Sequence, residues 1–133
     1  MGELQNCQLC PRLSAYRKEL KRQYPHYHCA PVSAFGPLRS RLLVIGLAPG
    51  LHGANASGRP FTGDASGDLL FSTLHRYGFS SQPGSRSPAD GLRLIDCRVT
   101  NAVKCVPPQN LPKASERNNC NRFLAEEIDS LPS

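Results

Sequence analysis

Six cysteines in 133 residues are the side chains whose spacing most directly suggests chemistry. Four form two pairs, Cys7-x2-Cys10 and Cys105-x14-Cys120. Thiolate is the soft ligand that suits both zinc and iron–sulfur clusters, so the residues alone leave both open. Cys29 and Cys97 stand outside the pairs and read as small buried hydrophobes. Six are too few for a disulfide-dense secreted scaffold. The opening MGELQNCQLC lacks the apolar stretch of a signal peptide, and Asn6 stands where a myristoylation motif has Ser or Thr. The expectation is a cytoplasmic protein whose thiols bind metal rather than pair.

The second candidate is a loop, Gly46–Asp64, with five glycines and two prolines in nineteen residues. It lacks the Lys-Ser/Thr of a P-loop and the first glycine of a dinucleotide fingerprint, which excludes the common ATP and NAD cradles. It follows Arg41-Leu-Leu-Val-Ile-Gly46, an aliphatic run that predicts a strand buried on both faces. A glycine loop just past a strand's carboxyl end sits where open parallel sheets bind ligands.

The elements that must position these groups follow from periodicity. Leu9, Leu13, Tyr16, Leu20 and Tyr24 recur at helical steps between Pro11 and Pro25, with Arg17, Lys18, Lys21 and Arg22 assigned to the opposite, basic face. A helix is predicted from Ser66 or Asp68, as caps, to Gly78. Leu92–Asn101 reads as a second strand, 105–112 as extended, and Ser115 as the cap of a last helix carrying Cys120, Phe123, Leu124, Ile128 and Leu131. Strand, loop, helix, strand, helix predicts an α/β fold with a parallel sheet, and two strands read as the front part of a larger domain. Residues 1–41 carry a net charge of +5 out of +6, making the first helix the candidate contact for a polyanion. The longest apolar run, Leu42–Ala48, is too short to cross a membrane.

The run GLAPGLHGANASGRPFTGDASG, residues 46–67, resembles the first active-site motif of the type-5 uracil-DNA glycosylases. NAVKCVPPQNLP, residues 101–112, resembles a segment that type-4 and type-5 enzymes share. The likeness extends from Cys7 to about Cys120. It implies a three-layer α/β/α uracil-DNA glycosylase-like fold with a short parallel sheet, and a [4Fe-4S] cluster on Cys7, Cys10, Cys105 and Cys120. It further implies hydrolysis of the N-glycosidic bond of uracil, or another deaminated base, flipped out of double-stranded DNA. The expected protein is a monomeric, nucleoid-associated prokaryotic repair enzyme.

Site roles follow from the same resemblance. Phe61 matches the stacking aromatic, Asn101 matches the amide that reads the uracil edge, and the backbone amides around Leu47 and Ala48 would meet uracil oxygens. Type-4 relatives place a carboxylate where this chain has Leu47, so the motif's remaining acid, Asp64, is the expected catalytic residue, orienting water or stabilising an oxocarbenium-like sugar. His52 is assigned near phosphate or base. Each has a plainer reading: Phe61 as core, Asn101 as a strand-end turn residue, Asp64 as a helix cap, His52 as loop structure. Full-length family members continue to a histidine-centred second motif, and nothing between Cys120 and Ser133 resembles it. The expectation is therefore one incomplete domain, 1–133, without excision activity alone. A cysteine-ligated nucleic-acid-binding module and a remnant unable to fold are the rival readings.

Overall fold

The structure, a computed structural model, describes residues 2–132. A short turn, α1 (Gly2–Gln5), precedes α2 (Pro11–Gln23). Pro11 occupies the first helical position, where a missing N–H costs nothing. Then come β1 (Leu42–Gly46), α3 (Ala54–Ser57), α4 (Ala65–Arg76), β2 (Cys97–Asn101) and α5 (Ala114–Asp129). No helix among the described residues is long and apolar enough to cross a membrane.

The two strands pair in parallel, with Leu42 opposite Cys97 and Gly46 opposite Asn101. Their carboxyl ends are therefore level, and both glycine loop and NAVKC segment start from the same point. Side chains alternate across a strand. Cys97 and Val99 face one way, into a core with Phe71 and Leu74 of α4, Leu92 and Leu94. Thr100 faces the other way, where its hydroxyl donates to Glu127 Oε1 of α5 at 2.9 Å. One helix thus covers each face of β2, giving the α/β arrangement of three layers that the sequence predicts.

Burial is distributed differently from the expectation. All of β2 is buried although it carries Arg98 and Thr100, whereas β1 is half open, with Leu42 36% and Ile45 45% exposed. β2 is flanked by β1 on one side and, through an antiparallel bridge at Val99, by Phe35 on the other. β1 pairs with β2 alone among the described residues. Aliphatic character alone did not determine which strand lies inside.

Boundaries also shift. The second strand begins at Cys97, not Leu92, because Asp96 has φ +55° and accepts the Arg41 N–H on its carboxylate at 2.9 Å. Leu94 forms an isolated antiparallel bridge with Ser80 instead. The cap of α4 is Asp64, and the helix runs out at Tyr77 before Gly78 at φ +85°. Helix α5 starts two residues earlier than predicted, behind Lys113 rather than Ser115, and the Lys113 N–H donates to Glu116 Oε1 at 2.7 Å. The glycine loop also contains a helical turn, α3, that its composition hid.

Candidate active site and thiol cavity

The level strand ends create the first feature. A Cβ at Gly46 would fall 2.5 Å from Asn101 Oδ1 and 2.7 Å from Phe61 Cζ, so glycine is what lets the amide and the ring close on the strand end. Asn101 is 3% exposed, and its side-chain amide makes no protein hydrogen bond among the described residues. Phe61 is half-buried with φ +58°, against the core formed by Phe71 and Val99. Its core contacts and its place beside Asn101 hold together: one part of the ring packs on the core while Cζ reaches Gly46.

The end of β2 is pinned from beneath. Lys104 is fully buried, and its Nζ donates to the Asn101 carbonyl at 2.7 Å, Glu127 Oε1 at 2.6 Å and Thr100 Oγ1 at 2.5 Å. Burial pushes the ammonium below its ordinary pKa, and the Glu127 carboxylate works against that. Removing one partner of such a pair costs about 3–5 kcal/mol, because the other charge is stranded.

The glycine loop walls a cleft of about 460 Å³ that includes Leu47, Ala48, His52, Gly53, Asp64 and Ser66. Asp64 does two things there. One carboxylate oxygen accepts the Gly67 N–H at 3.1 Å and caps α4. The other, Oδ2, lies 2.5 Å from where a Cβ on Gly53 would sit. The capping role is therefore real, and it consumes only one oxygen. His52 is exposed on the same wall, with Nδ1 2.8 Å from the Tyr27 hydroxyl.

The loop segment carrying Phe61 is held by a buried ion pair. Arg59, 5% exposed, meets Asp90 Oδ1 and Ser85 Oγ at 2.9 Å each and lies over the Phe35 ring at 4.2 Å. Burial alone would raise the Asp90 carboxyl. Hydrogen bonds from the Arg86 and Leu92 N–H groups, the Arg59 guanidinium and the Ser87 N–H outweigh it and bring it from 3.8 to about 2. A carboxyl lower in the folded chain stabilises fully above about pH 4 and loses that contribution as pH falls through about 2, an effect of about 2 kcal/mol. Replacing Asp90 with Asn should flatten the Tm-against-pH curve between pH ~4 and ~2; parallel curves for variant and wild type would remove this pair from the acid limb.

The predicted thiol set also comes together. Cys7 follows α1, Cys10 caps α2, Cys105 follows β2 and Cys120 lies on α5, and all four line one cavity with Leu4, Leu13, Ser14, Arg17 and Lys104. The Lys104 N–H donates to Cys120 Sγ at 3.2 Å, and Asn119 Nδ2 approaches Cys10 Sγ at 3.7 Å. Burial raises the Cys105 thiol to about 12 and also raises Cys10 and Cys120. Arg12 forks onto Glu116 at 2.8 and 2.6 Å and so clamps α2 to α5 beside these thiols. No three or more His, Cys, Asp and Glu close on a single ion among the described residues; the four cysteines share the lining of one cavity instead.

Arg17 corrects the expected basic face. It is half-buried, lines the thiol cavity and donates to the Cys7 carbonyl at 3.1 Å, while its Nε is buried without a partner. Lys21 donates to the Tyr27 carbonyl and Arg22 pairs with Glu19. Cys29 and Cys97 are buried away from the cavity, as expected of small hydrophobes, and burial raises Cys97 to about 11. Sequence reasoning missed Tyr27, Arg59, Asp90 and the Lys104–Glu127 pair. Each lies in an aperiodic stretch or on an element whose partner is distant in sequence.

A parallel-sheet end thus brings an amide and an aromatic ring together, beside a glycine-walled cleft that carries the Asp64 carboxylate. The uracil DNA glycosylase superfamily profile matches residues 33–133, and the chain belongs to that superfamily. It is 48% identical over 131 residues to the type-5 uracil-DNA glycosylase of Thermus thermophilus, covering 95% of this chain and 59% of that protein. It is 44% identical to the type-5 enzyme of Pyrobaculum aerophilum, covering 98% of this chain and 60% of that one. A type-4 uracil-DNA glycosylase of the same organism is 33% identical, with 96% and 52% covered. The chain thus spans about three-fifths of the two type-5 relatives.

Proposed function

We propose that this chain supplies the base-reading and carboxylate half of a DNA repair glycosylase that hydrolyses the N-glycosidic bond of uracil flipped from DNA. The convergence of Asn101 Oδ1 and the Phe61 ring on Gly46 carries the reading, because it offers an edge reader and an apolar ring together. A uracil ring needs both: stacking gives affinity for any base, and an unspent amide distinguishes donor from acceptor on its edge. Leu47 and Ala48 stand next to this pair on the cleft wall, and their backbone amides would meet uracil oxygens. Asp64 Oδ2 is the acid that would orient water or stabilise positive charge on the sugar.

Cys7, Cys10, Cys105 and Cys120 would hold a [4Fe-4S] cluster, and they fit it. The donor set is all thiol, the four cysteines line one cavity, Lys104 and Asn119 point N–H groups at two of the sulfurs, and Arg17 Nε is an unused donor on a residue of the same cavity. Bound there, the cluster supplies a structural tie between α2, α5 and the segment after β2.

The test is single-turnover release of uracil from a U:G duplex by this chain joined to the remaining portion of the Thermus relative. Release is expected, with Phe61→Ala weakening both DNA binding and release. Salt-dependent DNA binding with no release would instead support a binding module.

A further inference from the structure

His52 is an exposed imidazole on the cleft wall, and one of its nitrogens is already engaged: the Tyr27 hydroxyl lies 2.8 Å from Nδ1. Tyr27 is itself held. Its ring stacks on Tyr24 at 4.6 Å, Lys21 Nζ donates to its carbonyl at 2.5 Å, and the imidazole stands edge-on to both tyrosines. A neutral imidazole has one donor and one acceptor nitrogen, and the hydrogen bond at one decides what the other carries. A phenol hydroxyl donating to Nδ1 leaves the ring proton on Nε2.

Position selects what that N–H meets. Asn101 and Phe61 flank Gly46, whereas the Asp64 carboxylate flanks Gly53, the residue after His52. His52 therefore belongs to the carboxylate end of the cleft, the sugar side of a bound nucleotide, where the next group along a strand is a phosphodiester. Among the described residues the cleft lining contains no Lys or Arg. An exposed N–H there suits an anionic oxygen that must pass close to Asp64.

We propose that Tyr27 is a positioning residue that holds His52 in its Nε2–H form, and that this N–H donates to a phosphodiester oxygen adjoining the flipped nucleotide. The inference rests on the uracil-DNA reading above.

Two measurements test it separately. Long-range proton–nitrogen correlation spectra of the 15N-labelled chain, at alkaline pH where imidazole is neutral, should show His52 as the Nε2–H tautomer, and Tyr27→Phe should shift it toward a mixture. A predominant Nδ1–H form in the wild type overturns the proposal whatever the DNA result. In binding to uracil-containing duplex, His52→Ala should lose roughly tenfold, as for a hydrogen bond to a charged group. His52→Gln, whose amide nitrogen reaches the Nε2 position, should recover part of the loss, and His52→Asn should not. A single neutral methylphosphonate at the contacted phosphate should erase the difference between wild type and His52→Ala. If that difference persists at every phosphate beside the uracil, the contact is not a phosphodiester and the proposal fails, with the uracil reading intact. If wild-type chain binds no DNA at all, both fail.

Discussion

Asp64→Asn should slow single-turnover uracil release by roughly 10²–10³-fold in the joined protein described above, while DNA affinity changes less than about twofold. The substitution separates the two jobs of this side chain. Asn is as good an N-cap as Asp, and its oxygen can still accept the Gly67 N–H that Asp64 Oδ1 accepts at 3.1 Å. Helix α4 and the loop feeding into it are therefore retained. What disappears is the negative charge of Oδ2 beside Gly53 and Gly50, which matters only once positive charge develops on the sugar or a water must be deprotonated. An interaction made only in the transition state lowers turnover without weakening ground-state binding. Asp64→Ala should add a loss of about 1 kcal/mol in stability from the missing cap. Release by the Asn variant within threefold of wild type, with unchanged Tm, would show that capping is the residue's whole function.

The same residue shows how far sequence could reach. Reading Asp64 as a cap and as a catalytic acid looked like a choice, because a linear pattern assigns one role per side chain; the two carboxylate oxygens allow both. Phe61 repeats the lesson, since one ring both packs on the core and reaches Gly46. The parallel pairing, the strand-end placement of Gly46 and Asn101, and the meeting of four cysteines were all legible, because they depend on local runs and motif spacing. Strand burial was not. Leu42–Gly46 is aliphatic yet half open, while Cys97–Asn101 is wholly buried with a charged residue and a threonine inside it. Arg98 can be there because its guanidinium donates to the Gly36 carbonyl, and Thr100 because Glu127 accepts its proton. Those partners are 62 and 27 residues away, outside any window of periodicity. Arg17 likewise looked like one of four exposed cations on a helical wheel; the thiol cavity draws it inward, a tertiary effect that helix periodicity does not encode.

Cys105→Ala should yield a colourless, iron-depleted chain with a strongly lowered Tm, whereas Cys97→Ala should remain brown. Both thiols are buried, at 7% and 0% exposure, so loss of buried volume alone predicts comparable damage from either substitution. Their surroundings differ. Cys97 sits in the core with Phe71 and Val99, and burial holds its thiol at about 11, protonated and inert. Cys105 faces a cavity shared with Cys7, Cys10 and Cys120. Its thiol, raised to about 12 by burial, is equally inert until a metal displaces the proton. A cluster bound only by the folded chain would stabilise it by mass action, and held by these four thiols it would tie α2 and α5 to the segment after β2. Removing one of them would withdraw that tie as well as a side chain. The cavity also leaves Arg17 Nε buried and unpaired, a donor that sulfur on a cluster would satisfy. Iron content of the two purified variants, measured beside zinc, decides the matter. Stoichiometric zinc in the wild type would replace the cluster with a mononuclear site, and equal iron in Cys105→Ala and wild type would remove Cys105 from the ligand set.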